Sequence, residues 1–392
     1  MASNANVHIS RLESIGLGKE WTAWTKDTVD YWFPKRDGTI NPVVEKAIDN
    51  SWYWVLETRY NSAVAKEMSE LSLGGIVKDE SIGLLLLCAL GQETLCIKLW
   101  TWSLSGTYVV GETVTGGTSS ATGTVKKVRT TYIIVEVASG SFQDNETLTG
   151  WTSGATSTSD YDSSIYVHLF EVGQNNNHTT MTAYGNNSIQ DVYATYCAIN
   201  SFSFTINTED YMTFNTSIMG RALTDDWSPP TPSFTTENRF LAKHASVYLA
   251  STAAWLDSAT AEDLQNFTMN IEKNLFQEPK LWTKTVNAFH NQNFDVNGSI
   301  SGVYKTNDIM DLLRNETQRF MRIEAINSDV TIWSAENPRM IIEFGQMVFD
   351  DYNKSSDNDQ VVTVDSNFAG EFNQSSGYSM TIELLNTKSA TY

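Results

Sequence analysis

Adjacent carboxylates are the residues of this chain whose spacing first suggests chemistry: Glu209–Asp210, Asp225–Asp226 and Asp350–Asp351. A protonated and an ionised carboxyl flanking one glycosidic bond can cleave it. Neighbouring acids in a turn are more often solvated loop residues, and these pairs are read that way. SSDNDQ (355–360) spaces Asp357 and Asp359 like calcium ligands but lacks the glycine and closing glutamate of such a loop. GSISG (298–302) has the outline of a nucleophile elbow, with Ile300 where a serine must stand. SIGLGKEW has two glycines, no third and no strand before it, so it is not a dinucleotide loop. His8, His168, His178, His244 and His290 show no metal spacing. Cys88, Cys96 and Cys197 sit in apolar runs without a CxxC pair and read as buried free thiols. No catalytic, metal or cofactor residue is predicted, and the chain reads as a non-enzyme.

Composition narrows the classes further. With 392 residues, 41% of them hydrophobic, the chain can bury a large core and is not a disordered polymer. A net charge of −20 argues against a Lys/Arg grip on nucleic acid. It remains compatible with a surface that must avoid sticking to nucleic acid, since like charges repel within a Debye length of about 8 Å. The start, MASNANVHIS, has no basic segment followed by an apolar one, and the longest apolar run, Ile82–Leu90, is about half the roughly 20 residues of a membrane span. The expectation is a soluble protein made in the cytoplasm, with no membrane partner. Twelve tryptophans read as core or subunit-interface anchors, with a sugar-binding row as the lesser alternative.

The elements that must position these residues are strands. In NSFSFTINTED (200–210), Phe202, Phe204 and Ile206 alternate with Ser201, Ser203, Thr205 and Asn207. That is a half-buried strand whose wet face carries only small uncharged polar groups. Pro229, Pro230 and Pro232 mark a linker between two halves. In the first half, GETVTGGTSSATGTV (111–125) matches NETLTGWTSGATSTS (145–159), which makes 103–162 a small inserted β module with an internal repeat. Without it the halves rhyme. SLGGIVKDESIGLLLLCALG is a strand followed by a helix, with Asp79 or Ser81 to cap it and Gly91 to end it; NGSISGVYKTNDIMDLLRNE runs the same way, capped by Thr306 or Asn307. FSFTIN has a parallel in FTMNIE (267–272). The predicted fold is mainly β: an N-terminal arm (1–24), two β-sandwich or barrel domains with one short α-helix each (25–102 with 163–228, and 233–392), and the insert.

In order along the chain, ESIGLGKEW…YWFPKRDGTI, GGIVKDESIGLLLLCALG, AINSFSFTINTEDYMTFNTSIMG, FDVNGSISGVYKTND and FAGEFNQSSGYSMTIELLN resemble the segments of a bacteriophage tail tube protein of the duplicated kind. The resemblance covers all but about 103–162. It implies a virion protein that polymerises into stacked rings, the hollow conduit for DNA ejection, without a cofactor. A duplicated chain implies trimeric rings with pseudo-sixfold symmetry; a single-copy chain would give hexamers. The partners implied are the chain itself, the tape measure, tail terminator and baseplate proteins, and double-stranded DNA in non-specific passage. Ser201, Ser203, Thr205, Asn207, Thr213, Asn215 and Ser217 are the expected lumen-facing residues. Thr208, Glu209 and Asp210, at the hairpin tip, are the expected contacts to the next ring. Two other readings stay open at this point: a secreted carbohydrate-binding or glycosidase-like β protein, and another virion component such as a baseplate or decoration protein.

Overall fold

The computed structural model describes residues 10–392, apart from 52, 53, 55, 162, 177, 188, 334, 335 and 356–360. His8 and the loop acids Asp357 and Asp359 lie outside the described residues. Strands β1 (Ser14–Lys19), β2 (Tyr31–Phe33), β3 (Lys35–Asp49) and β4 (Asn61–Ile76) lead into helix α1 (Ile82–Leu90), and β5 (Gly91–Ser105) leaves it. The inserted module holds β6 (Thr113–Gly116), β7 (Thr122–Val128), β8 (Tyr132–Ser139), β9 (Thr147–Gly150) and β10 (Thr156–Tyr161). The chain returns through β11 (Tyr166–Val172), β12 (Met181–Asn186), β13 (Val192–Asn207), β14 (Thr213–Gly220) and β15 (Thr224–Asp225). After the proline segment come β16 (Ala245–Ala250), β17 (Leu264–Glu272), β18 (Phe276–Glu278), β19 (Ala288–His290) and β20 (Asp295–Val303). Helix α2 (Asp308–Arg314) precedes β21 (Arg319–Ile326), β22 (Arg339–Phe349), β23 (Asn353–Ser355), β24 (Thr363–Gly370) and β25 (Met380–Asn386). The protein is mainly β, as its alternating pattern predicts.

Eight strands form one antiparallel arc in the order β3–β4–β14–β13–β17–β20–β24–β23. The two halves meet inside it: Phe202 pairs with Ile271 and Phe204 with Met269. FSFTIN and FTMNIE, alike in sequence, are thus hydrogen-bonded neighbours across the junction. Behind the arc, β5, β11, β25, β22, β21 and β16 make a second layer. One apolar cluster lies between the layers and draws on both halves, with Phe202, Phe204, Phe214, Phe267 and Phe368 on the arc side and Phe170, Ile342 and Ile382 behind. Burying each such side chain stabilises the fold by about 1.5–3 kcal/mol.

The two helices differ in cover. All nine residues of α1 are buried; Gly91 ends it at φ 92°, its N–H donating to the Leu87 carbonyl. At its start the expected side-chain cap is absent. Ser81 occupies the N-cap position without a capping bond. Its N–H donates to Glu237 at 2.6 Å, while Asp79 accepts from the Asn238 N–H and side chain. The linker acid thus binds the N–H of the N-cap residue, whereas a local side-chain cap would accept from the first turn of the helix. Asn307 is at the N-cap of α2, its side chain accepting from the Tyr304 hydroxyl rather than capping the helix, and no residue of α2 is buried.

The internal repeat of the insert is a pseudo-twofold axis. Leu99 pairs with Ile133 and Thr115 with Thr149, each joining matching places of the two copies. Glu112 accepts from the N–H groups of Val109, Thr152 and Ser153 and from the Ser153 hydroxyl. Glu146 accepts from Gln143, Thr118, Ser119 and the Ser119 hydroxyl. Each copy's glutamate therefore closes the other copy's turn. Burial would raise both carboxyls, yet these donors hold them below the usual range. The symmetric pairing extends to Leu99, within β5.

The module is fastened to the second half. Arg129 reaches both Glu343 and Glu383, Lys127 donates to the Thr381 hydroxyl at 3.1 Å, and Thr130 binds Asp257, which also holds Arg322 at 2.6 Å. Burial alone would raise the Glu343 carboxyl; Lys127, Arg129 and Arg322 hold it far below its ordinary value.

Candidate functional site: the polar face of the arc

Alternation puts one side of every arc strand into the core and leaves the other outside. Phe202, Phe204 and Ile206 are buried, while Ser201, Ser203 and Thr205 are half-buried and Asn207 is exposed. On β14, Thr213 and Ser217 are half-buried and Asn215 is exposed between buried Phe214 and Thr216. Register lines these residues up in rows: Ser201 faces Ser217, Ser203 faces Asn215, and Thr205 faces Thr213. The rows continue where sequence reasoning did not follow them. Thr205 is followed by Thr268, Ser299 and Asn367; Ser203 by Asn270 and Asn297; Asn207 by Asn266, Ser301 and Asp365. On the other flank Ser217 continues to Ser72 and Thr39. The local signal for the second-half residues was present in FTMNIE and NGSISG, but nothing local says that they extend the same face.

The face satisfies itself. Asn266 donates to the Ser301 hydroxyl at 2.9 Å, Asn270 to the Asn297 oxygen at 3.2 Å, and the Thr39 and Ser72 hydroxyls meet at 3.2 Å. Asn367 donates to Asp351 at 2.7 Å. From the Thr208 turn as far as Asn41 and Glu70, the charged face positions are Asp37, Glu70, Glu272, Asp295 and Asp365, with no Lys or Arg; farther along β3 and β4 the same face carries Glu45 and Lys66, which pair at 2.9 Å. Donors already engaged sideways, with acids and no cations between them, offer a phosphate backbone no anchor.

The tip expected to meet a neighbour is a tight turn. Thr208 and Glu209 are exposed, with Glu209 at φ 69°, and Asp210 sits 3.6 Å from Arg36 at the end of β3. The paired acids have structural partners: Asp226 binds Lys26 at 2.8 Å and Asp351 receives Asn367. No group of metal-ligating side chains occurs among the described residues, and the three cysteines are free and buried. Among the described residues no helix is long and apolar enough to cross a membrane. Among the described residues, nine tryptophans are at least half exposed, Trp21, Trp151, Trp227 and Trp282 among them. Side chains of that size left in solvent mark surfaces that another protein covers.

A continuous, self-satisfied polar sheet backed by a core shared between two halves, with wide apolar side chains left outside, defines a wall-building structural protein. The family model for the phage tail tube protein matches residues 66–370 of the 392, and the chain belongs to that family. No curated protein matches it. It is a structural component of the virion tail that assembles with copies of itself into a tube and contacts other tail proteins. Two sequence-level alternatives, the secreted carbohydrate-active protein and another virion component, find no comparable support. The family is structural rather than enzymatic.

Proposed function

We propose that the polar face of the arc lines the lumen and that three copies close one ring, each chain supplying two equivalent parts of the wall, 25–102 with 163–228 and 233–392. The single observation supporting this is the unbroken run of uncharged and acidic residues over eight strands of both halves. DNA slides past such a wall because nothing on it replaces condensed counterions. Strands β3 and β23 end the arc and pair on one side only, so edge-to-edge pairing with the next copies would leave no open edge. Three chains give pseudo-sixfold symmetry; a hexameric ring is the alternative. In this reading Thr208, Glu209 and Asp210 stand at the rim facing the next ring. The insert projects outward from the second layer. The tube ends meet the terminator and baseplate proteins, and the tape measure protein occupies the lumen before DNA does. The test places cations on the wall. Particles carrying Ser203→Lys with Thr205→Lys should build normal tubes and eject DNA slowly, with a rate that recovers in salt. Unchanged ejection would place this face outside the lumen.

A further inference from the structure

After β25 the chain runs through water and comes back. Thr387, Ser389, Ala390 and Thr391 are exposed, and Tyr392 then returns a ring to the interior, 5% exposed. Small polar residues mostly stay in solvent, whereas a buried tyrosine must find a partner for its hydroxyl. The ring fills a socket made by four elements. Gly83 of α1 lies under it, so close that a Cβ there would come within 2.1 Å of the ring. The His168 ring of β11 meets it edge-on, 4.9 Å between centroids, with Phe170 of β11 and Tyr31 of β2 each at 6.1 Å. Asn386, at the end of β25, donates to the phenol oxygen at 2.9 Å and to the Asp79 carbonyl at 2.7 Å, so the group that reads the hydroxyl is itself fixed. Lys388 lies over the Tyr392 ring at 4.8 Å. Burial, with Tyr31, Glu80 and Glu93 nearby, raises the phenol well above its usual range and keeps it neutral.

The exposed tether is held at both ends by one buried pair. The Tyr392 N–H donates to Glu93 Oε2 at 2.9 Å, Glu93 Oε1 lies 2.7 Å from His168 Nδ1, and the His168 Nε2–H donates to the Lys388 carbonyl at 3.0 Å. Lys19, at the end of β1, donates to the Tyr392 main-chain oxygen. Strand β1 pairs with β2 and β12. Among the described residues, neither β1 nor β2 shares a ladder with β5, β11 or β25. Tyr392, in contact with Lys19 and Tyr31 on one side and with His168 and Asn386 on the other, joins them directly.

We propose that the socket over Gly83 is a binding site for a neutral para-substituted phenol, and that Tyr392 occupies it as a tethered ligand that latches β1 and β2 onto the layer of β5, β11 and β25. A buried cavity left by a deleted side chain can take a small molecule of the same form; here that molecule is 4-methylphenol, the tyrosine side chain itself. The test uses the full chain. Tyr392→Ala should lower the melting temperature by about 5 °C or more, and β1 and β2 should lose hydrogen-exchange protection before β22 does. 4-Methylphenol at millimolar concentration should raise that temperature again and restore the protection. Toluene, which offers Asn386 no oxygen, should do so less, and neither should shift the wild type. Gly83 supplies a second measurement that needs no ligand. Gly83→Ala should lower the melting temperature of the wild type, where the ring is in the way, and raise that of the Tyr392→Ala chain, where the space is open and alanine favours the helix. If Tyr392→Ala does not fold by itself, its soluble yield on refolding with and without 4-methylphenol decides the same question. A Tyr392→Ala chain that melts as the wild type does would overturn the latch. No response to 4-methylphenol, in melting or in refolding, would overturn the site. An equal response to toluene would overturn the phenol as its ligand class.

Discussion

At the residue scale the most consequential side chains outside the wall are Arg129 and Glu343. Both are buried, and each holds the other's charge. Removing one partner of a buried pair leaves an uncompensated charge, at a cost of about 3–5 kcal/mol. Arg129→Met should therefore lower the stability of the subunit by that amount in denaturant unfolding, and Arg129→Met with Glu343→Leu should regain much of it. The pH response follows from the depressed Glu343 carboxyl. A carboxyl held lower in the folded than in the unfolded chain contributes stability above its unfolded pKa of about 4.3 and loses it as pH falls further. Subunit melting temperature should be flat near neutrality and drop below about pH 4.3, and Glu343→Gln should reduce the slope.

At the element scale the insert behaves as two copies of one motif and as a part of the host. Its pseudo-twofold axis makes Glu112 and Glu146 equivalent closers of the two turns. Glu112→Ala and Glu146→Ala should destabilise the module by similar amounts, about 1–3 kcal/mol each, measured as loss of hydrogen-exchange protection in β6 and β9. A deletion of 105–162 looks neutral from sequence, because the borders are adjacent and the surface is rich in Thr and Gly. The structure changes that expectation. Deletion removes Lys127 and Arg129 and leaves Glu343 and Glu383 buried without them. The deleted chain should fold poorly, and adding Glu343→Gln with Glu383→Gln should restore folding and thinner tubes; restoration failing under electron microscopy would make the module part of the core.

At the scale of the whole molecule, charge governs assembly. Each copy carries a net −20, and stacking brings like charges within a Debye length of about 10 Å at 0.1 M salt. Raising salt from low to physiological strength should lower the concentration at which tubes appear, read by light scattering. In the proposed lumen reading, cations on the polar face of the arc should reverse that sign for DNA passage, since salt then releases a bound polymer. The two responses separate repulsion between subunits from the slipperiness of the wall.

Side-chain alternation and apolar period are local, so the arc strand Ser201–Asn207, both helices, Gly91 as the end of α1 and the doubled motif of the insert are all readable in short stretches of the chain. The same locality made FSFTIN and FTMNIE look like equivalent strands, when they are partners. Which strand lies beside which is decided by hydrogen bonds between residues far apart in the chain, and no short window contains both sides of such a bond. That is why the polar rows through Thr268, Ser299 and Asn367, the linker acid at the head of α1 and the seat of Arg129 between Glu343 and Glu383 were legible only in the tertiary structure. It is also why the sequence predicts an apolar side for α2 but not what covers it: Ile309, Leu312 and Leu313 pack, half-buried, against the core that both halves share.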